Sequence, residues 1–399
     1  MKNKNKLLAI IIPIIIAIAV LIAFAVSGNI TKNNDKETPT ATTTAVPVNE
    51  DTTVKHQDSK VTILCAGDNL IHNTLIYAGE QEDGTLDYTG LYENIKPEIE
   101  RFDIAVLDLE TILGGSSFEY SGYPVFNTPW EVGEAAINAG FDIFTCATNH
   151  TMDMGYAGIE KEAEFFSNHK DVVSIGIATS EEDYNKVTYY EKNGIIFAML
   201  NYTFGTNGIP LPADKPWCVN LLENKDKIVK DLKEARANAD VVMVFPHWGT
   251  EYSTGISSYQ KEYAKLFYEN GVDIVVGCHP HVIEPVEWYS QEGSDRRMLV
   301  YYSTGNFISH QIDLENLVGG LAEITIEKKD ESVSITTAKF VPVVTHYNRD
   351  ENGKFRFNVY KLADYNNDLA STHSQKGGTV EYYTKFVSDI VSDEFLAIE

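Results

Sequence analysis

Residues 61–68 read VTILCAGD, residues 103–110 DIAVLDLE, residues 142–150 DIFTCATNH, residues 240–249 DVVMVFPHWG and residues 273–281 DIVVGCHPH. Each is an apolar run of strand length, and each stops abruptly in side chains that can bind a cation or move a proton. Near-continuous apolar strands belong to sheets covered on both faces. The residues at the stops are Asp68, Glu110, Asn149 with His150, His247, and His279 with His281. In open α/β sheets ligands bind outside the carboxyl ends of the strands, so these side chains are expected to meet in one crevice.

The same texture extends outward. VVSIGIA (172–178), GIIFAMLNYT (194–203) and MLVYYSTGNF (298–307) read as further buried strands. Helical periods lie between them. Asn220 with Glu223 resembles a capping box, followed by Ile228, Leu232, Ala235 and Ala239 on one face. A second helix runs from about Ser258 to Asn270 and stops at Gly271. Alternating strands and helices predict an α/β core. After residue 320 the pattern becomes strict alternation (LAEITIEKK, SVSITTAKFVPVV), as in antiparallel strands with one wet face. EYYTKFVSDIVSDEFLAI near the C-terminus is expected to form an amphipathic helix.

Imidazole, carboxylate and amide oxygen together suit first-row divalent ions such as Zn, Mn or Fe. Two such ions side by side need a bridging carboxylate, which Glu110 or Asp68 could supply. Asp153 and Gly155 read as turn and helix-cap residues, and Trp248 and Tyr252 as packing around the site. His56, His169, His310, His346 and His373 read as ordinary structural histidines.

The ordered set Gly67-Asp68, Leu109-Glu110, Thr148-Asn149-His150 with Asp153 and Gly155, His247-Trp248-Gly249 with Glu251-Tyr252, Gly277-Cys278-His279-Pro280-His281, and Ser303 with Gly305-Asn306-Phe307 resembles the motifs of the CapA family of capsule-synthesis proteins. The similarity covers roughly residues 61–310. It implies a calcineurin-like metallophosphoesterase fold, an α/β sandwich of two mixed sheets flanked by helices. It also implies one or two divalent metal ions held by Asp68, Glu110, Asn149, His247, His279 and His281, with Glu110 bridging. By the same resemblance His150 and Glu251 would be catalytic, and His72 and Asn306 would line the substrate side. The metallophosphoesterase pattern itself opens Asp-x-His, whereas Asp68 is followed by Asn69 and Leu70. Its second motif is Gly-Asp-x-x-Asp, and here the stretch reads Leu107-Asp108-Leu109-Glu110.

Localisation rests on the first residues. Leu7–Val26 is an unbroken apolar run, long enough to cross a bilayer, and Lys2, Lys4 and Lys6 precede it. The expected order is a cytoplasmic stub (1–6), a signal-anchor (7–28), a polar flexible tether (29–59), a CapA-type domain (60–345) and a C-terminal extension (346–399). Ala23-Phe24-Ala25 offers a cleavage site as the alternative, although the apolar run exceeds the length usual for a cleaved leader. The expected location is therefore the cell membrane, single-pass, with the domain extracytoplasmic. The net charge is −26, to which the three lysines contribute +3, leaving −29 on the rest. So acidic a body excludes nucleic acid as a partner. Cys65, Cys146, Cys218 and Cys278 have neither metal nor disulfide spacing and read as buried thiols.

Three function classes follow. The first is metal-dependent hydrolysis or transfer on an anionic extracellular polymer such as poly-γ-glutamate. The second is a non-enzymatic polymer- or metal-binding subunit working with other membrane subunits of a capsule synthase. The third is a cell-envelope metallophosphoesterase.

Overall fold

Every expected strand forms, in two mixed sheets. The computed structural model describes residues 58–330 and 332–398. The strands are β1 (Ser59–Asn69), β2 (Ile104–Asp108), β3 (Ile143–Thr145), β4 (Val173–Ile175), β5 (Thr188–Lys192), β6 (Ile195–Thr203), β7 (Val241–His247), β8 (Ile274–Val276), β9 (Val286–Tyr289), β10 (Met298–Tyr301), β11 (Asn306–Ile308), β12 (Val318–Lys329), β13 (Ser332–Arg349) and β14 (Phe355–Lys361). The first sheet has the order β14-β13-β12-β1-β2-β3-β4, with β11 also paired to β1. The second has the order β5-β6-β7-β8-β10-β9. Strands β1 to β4 are mutually parallel, as are β6, β7, β8 and β10, so their carboxyl ends share one edge within each sheet.

The unbroken apolar runs now have a cause. Successive side chains of a strand point to opposite faces. Phe197, Met199, Met243 and Val276 face the first sheet and join Ile63 and Leu107 in one core. Ala198, Leu200, Val242, Val244 and Val275 point the other way, under two helices, Lys225–Asn238 and Ser258–Glu269, which contribute Ile228, Leu232, Ala264 and Phe267. Both faces are dry, so both must be apolar.

The helix starts differ from expectation in one place. The Lys225–Asn238 helix is capped by Asn224, whose side chain accepts from the Lys227 N–H. Asn220 is committed elsewhere: its N–H donates to Gly176 and its carbonyl accepts from Thr203, tying the edges of the two sheets. The chain is free to turn only four residues later. The Ser258–Glu269 helix opens on a Ser257/Gln260 capping box, and Gly271 follows it with φ +87°. Strand β13 runs through the boundary expected at 345/346, and β14 and the helix Val380–Ile390 pack Phe357, Val359, Tyr383 and Val387 into the main core. All four cysteines are buried and free. Among the described residues no helix is long and apolar enough to cross a membrane. The segment expected to do so, Leu7–Val26, lies outside the described residues, as does the tether up to residue 57.

Candidate metal centre

The strand ends meet. Asp68 is the last-but-one residue of β1, fully buried, with register partners Asp108 on β2 and Asn306 on β11. That approach requires Gly67, where a Cβ would lie 1.9 Å from the Gly305 carbonyl oxygen. Glu110 follows β2, Asn149 and His150 follow β3, His247 closes β7, and the His279-Pro280-His281 turn follows β8. All are buried. His279 and His281 take φ of +102° and +60°, conformations costly for a side-chain-bearing residue, which the surrounding packing imposes.

Glu110 sits at the centre and divides the site into two halves. Its Oε1 lies 3.5 Å from His247 Nε2, and its Oε2 lies 3.5 Å from His281 Nδ1. On the first side, ligand atoms of Glu110, His247 and His279 fall within 4.8 Å of one another, and Asn149 Oδ1 is 2.7 Å from His247 Nε2. On the second side, Asp68, Glu110 and His281 form an equivalent group, with Asn306 Oδ1 3.1 Å from His281 Nδ1. Asp68 Oδ2 is also 3.1 Å from that nitrogen, while Oδ1 accepts the His279 N–H.

These residues fit a metal better than they fit each other. Both Glu110 oxygens, His247 Nδ1 and His279 Nδ1 are buried without a hydrogen-bond partner. Three acceptors surround the single ring nitrogen of His281, more than one N–H can serve. A cation placed among such donors satisfies them at once, and imidazole with carboxylate and amide oxygen is a first-row ligand set. The charges act in the same sense. Burial opposes ionisation of Glu110, yet the His281 and His247 imidazoles hold its carboxyl below the usual range. Burial also disfavours the His247 cation, but Asp108 and Glu110 outweigh it and raise the ring to about 10. Burial and then the neighbouring His247, His281 and His150 push His279 well down, leaving a neutral imidazole.

His150 stands beside this cluster as half of a dyad. Its Nδ1 is 2.7 Å from Asp153 Oδ2, and its ring meets Phe126 edge-on at 4.5 Å. Asp153 lies in a turn, as expected, but its side chain is not a cap. It caps no helix (the next helix starts after Met154 with no side-chain cap) and instead holds the His150 ring and the Phe126 N–H. Asn207, on the loop after β6, accepts from the Asn149 amide at 3.2 Å and so turns the Asn149 oxygen toward His247. His72 is half-buried, edge-on to Phe126 at 5.6 Å, and burial drives its ring down to about 4. Glu251 is exposed at the mouth, with a carboxylate oxygen near His279 and His281. Asn306 is fully buried against His281. Trp248 packs as expected, between Phe267 and Tyr302, whereas Tyr252 is 58% exposed.

Asp108 was not among the residues expected at the site. It lies 3.5 Å from His247 Nδ1, accepts from Thr145 Oγ1, and burial raises its carboxyl to about 6. The available signal was its spacing: two residues before Glu110, it falls on the same face of an extended chain.

The model of the bacterial capsule synthesis protein PGA_cap family matches residues 62–311. The chain belongs to that family. It is 33% identical over 172 residues to the PGA biosynthesis protein CapA of Bacillus subtilis (strain 168), an overlap covering 43% of each chain. It is 31% identical over 186 residues to the capsule biosynthesis protein CapA of Bacillus anthracis, 45% of this chain and 43% of that one. The match thus spans less than half the length of these relatives. Among solved structures, the calcineurin-like phosphoesterase YfkN from Bacillus subtilis is similar with a TM-score of 0.40 at 14% identity, over 84% of this chain and 98% of that one. The NAD nucleotidase NadN of Haemophilus influenzae gives 0.42 at 11%, over 86% and 58%. Neither likeness bears on chemistry.

Proposed function

We propose that the protein is a membrane-anchored, extracytoplasmic, metal-dependent hydrolase or transferase acting on a capsule polymer of the poly-γ-glutamate type. The observation that carries the reading is Glu110, a fully buried carboxylate with two unpartnered oxygens, each aimed at a different imidazole. A carboxylate so placed would hold one or two divalent ions of the Zn, Mn or Fe class. Asn149, His247 and His279 would hold an ion on one side, and Asp68 and His281 on the other. Such ions, when bound, polarise a carbonyl or phosphoryl oxygen and activate water at neutral pH.

The chain's own groups supply the rest. Asp153 accepts from His150 Nδ1, which leaves Nε2 to hold or deliver the proton a leaving group needs. Glu251 stands at the mouth, where a carboxylate can take up a proton or contact substrate. The polymer substrate is inferred from the family and from the printed names of the relatives. The anchor is inferred from Leu7–Val26.

Full-length protein should sediment with membranes and retain one or two divalent ions per chain. His150→Ala should keep the metal and lose ~10²–10⁴-fold of turnover on the polymer. Normal capsule output from a His150→Ala strain, at normal protein level, would end the enzymatic reading and leave a binding subunit of a synthase.

A further inference from the structure

The mouth of the site carries two exposed aromatic rings that the core has no use for. Phe204 is 38% exposed and its ring lies 4.4 Å from that of His279. Tyr252 is 58% exposed and its ring lies 5.9 Å from that of His281. With His279 and His281 themselves 5.8 Å apart, the rings contact one another in the sequence Tyr252, His281, His279, Phe204. Tyr252 is moreover held in a left-handed conformation, φ +62°, by its N–H bond to the Pro280 carbonyl, and Gln311 donates to its hydroxyl at 3.4 Å. A bulky residue kept in a strained conformation with its ring in water is poor design for stability, and such strain collects where a ligand is gripped.

The charge at the mouth says what kind of contact the rings make. The charged groups acting on the Tyr252 hydroxyl are Glu251, Glu110 and Asp313, all acidic. These carboxylates give an anionic chain no attraction at Tyr252, so the rings are placed to contact its neutral parts. Beyond Phe204 the surface continues into a cavity of about 500 Å³, walled by Thr206, Ile209, Leu211, Leu221 and Asn224.

We propose that Phe204 and Tyr252 form an aromatic clamp that seats the amide planes and methylene spacers of a polyamide chain across the His279–His281 pair, with the chain's carboxylates turned outward to solvent. This rests on the proposed reading of the site as a polymer-processing centre. Amide planes and hydrocarbon stack on aromatic faces, and that contact needs no counter-charge.

The test is binding of purified poly-γ-glutamate to the full-length, metal-loaded protein across a range of ionic strength. Phe204→Ala and Tyr252→Ala should each weaken binding about tenfold with metal content unchanged, and Tyr252→Phe should bind as wild type. Tyr252→Gly should melt no lower than wild type, because it relieves the strained backbone, and still fail to bind. Wild-type affinity in both alanine variants overturns the clamp. Ring-dependent binding of neutral dextran in preference to the polyamide overturns the assigned occupant. If the alanine variants bind normally while turnover remains metal-dependent, the clamp fails and the proposed function stands. Should wild-type protein bind no polyamide at any salt, both fail.

Discussion

Two groups of buried histidines lie at opposite fates in this molecule. His247, His279 and His281 are packed among Asp68, Asp108 and Glu110. His346 and His373 are packed against each other, their ring centroids 4.8 Å apart, and against Tyr347 and Tyr365, with His310 near Phe355 and Phe357. Both sets are largely dry, yet their chemistry diverges. Carboxylates overcome burial and raise His281 to about 9, whereas burial, aided by His373, takes His346 down to about 4. Each ring nitrogen of the C-terminal pair also has a protein partner, as with His346 Nδ1 and the Tyr365 hydroxyl at 2.9 Å, or His373 Nε2 and the Thr345 carbonyl at 3.1 Å. At the candidate metal centre His247 Nδ1, His279 Nδ1 and both Glu110 oxygens have none. Buried histidine alone signals nothing; unpartnered histidine beside unpartnered carboxylate signals a cation.

The comparison breaks most decisively at Glu110. Glu110→Ala removes the carboxylate proposed to serve both halves and should abolish metal retention and turnover together, read by metal analysis and polymer assay. Retained metal in this variant would return Glu110 to the status of an ordinary buried acid. The next effect is smaller and sharpens the role of the dyad. Asp153→Asn leaves every metal donor in place but removes the carboxylate that orients His150, so turnover should fall by a factor on the order of 10²–10⁴ or less at full metal occupancy. An unchanged rate would confine Asp153 to holding the Phe126 loop.

The smallest effects are on stability, and they carry opposite signs. In metal-free protein the raised His247 and His281 contribute stability that is complete below their ordinary value of about 6.5 and is lost as pH rises through about 9 to 10. The lowered His346 contributes in the reverse sense, fully above about 6.5 and lost as pH falls through about 4. Melting temperature against pH in the presence of chelator should show both flanks. His346→Phe should soften only the acid flank, cost about 1–3 kcal/mol for the stranded Tyr365 hydroxyl, and leave metal content and turnover untouched. Loss of metal in that variant would show the two histidine groups to be coupled.

By itself the sequence determined the strands and where they stop. Strand formation and two-sided burial are written in local periodicity, and Asp68, Glu110, Asn149, His150, His247, His279 and His281 mark the ends because no dry strand can continue through them. Membership of the capsule-synthesis family was legible for the same reason, since its motifs are those strand ends in order. What only the tertiary structure decided were the partnerships. Asp153 looked like a cap, and became the holder of His150. Asn220 looked like a cap and was spent on tying two sheet edges, which moved the helix start to Asn224. Asp108 and Asn207 entered the site, and Tyr252 left the packing for the mouth. Each of these depends on contacts between segments far apart in sequence, such as the 57–58 positions separating Asn207 from His150 and Asn149. A side chain's own neighbours along the chain set its conformation, but its hydrogen-bond partner is set by which loops the sheets bring together.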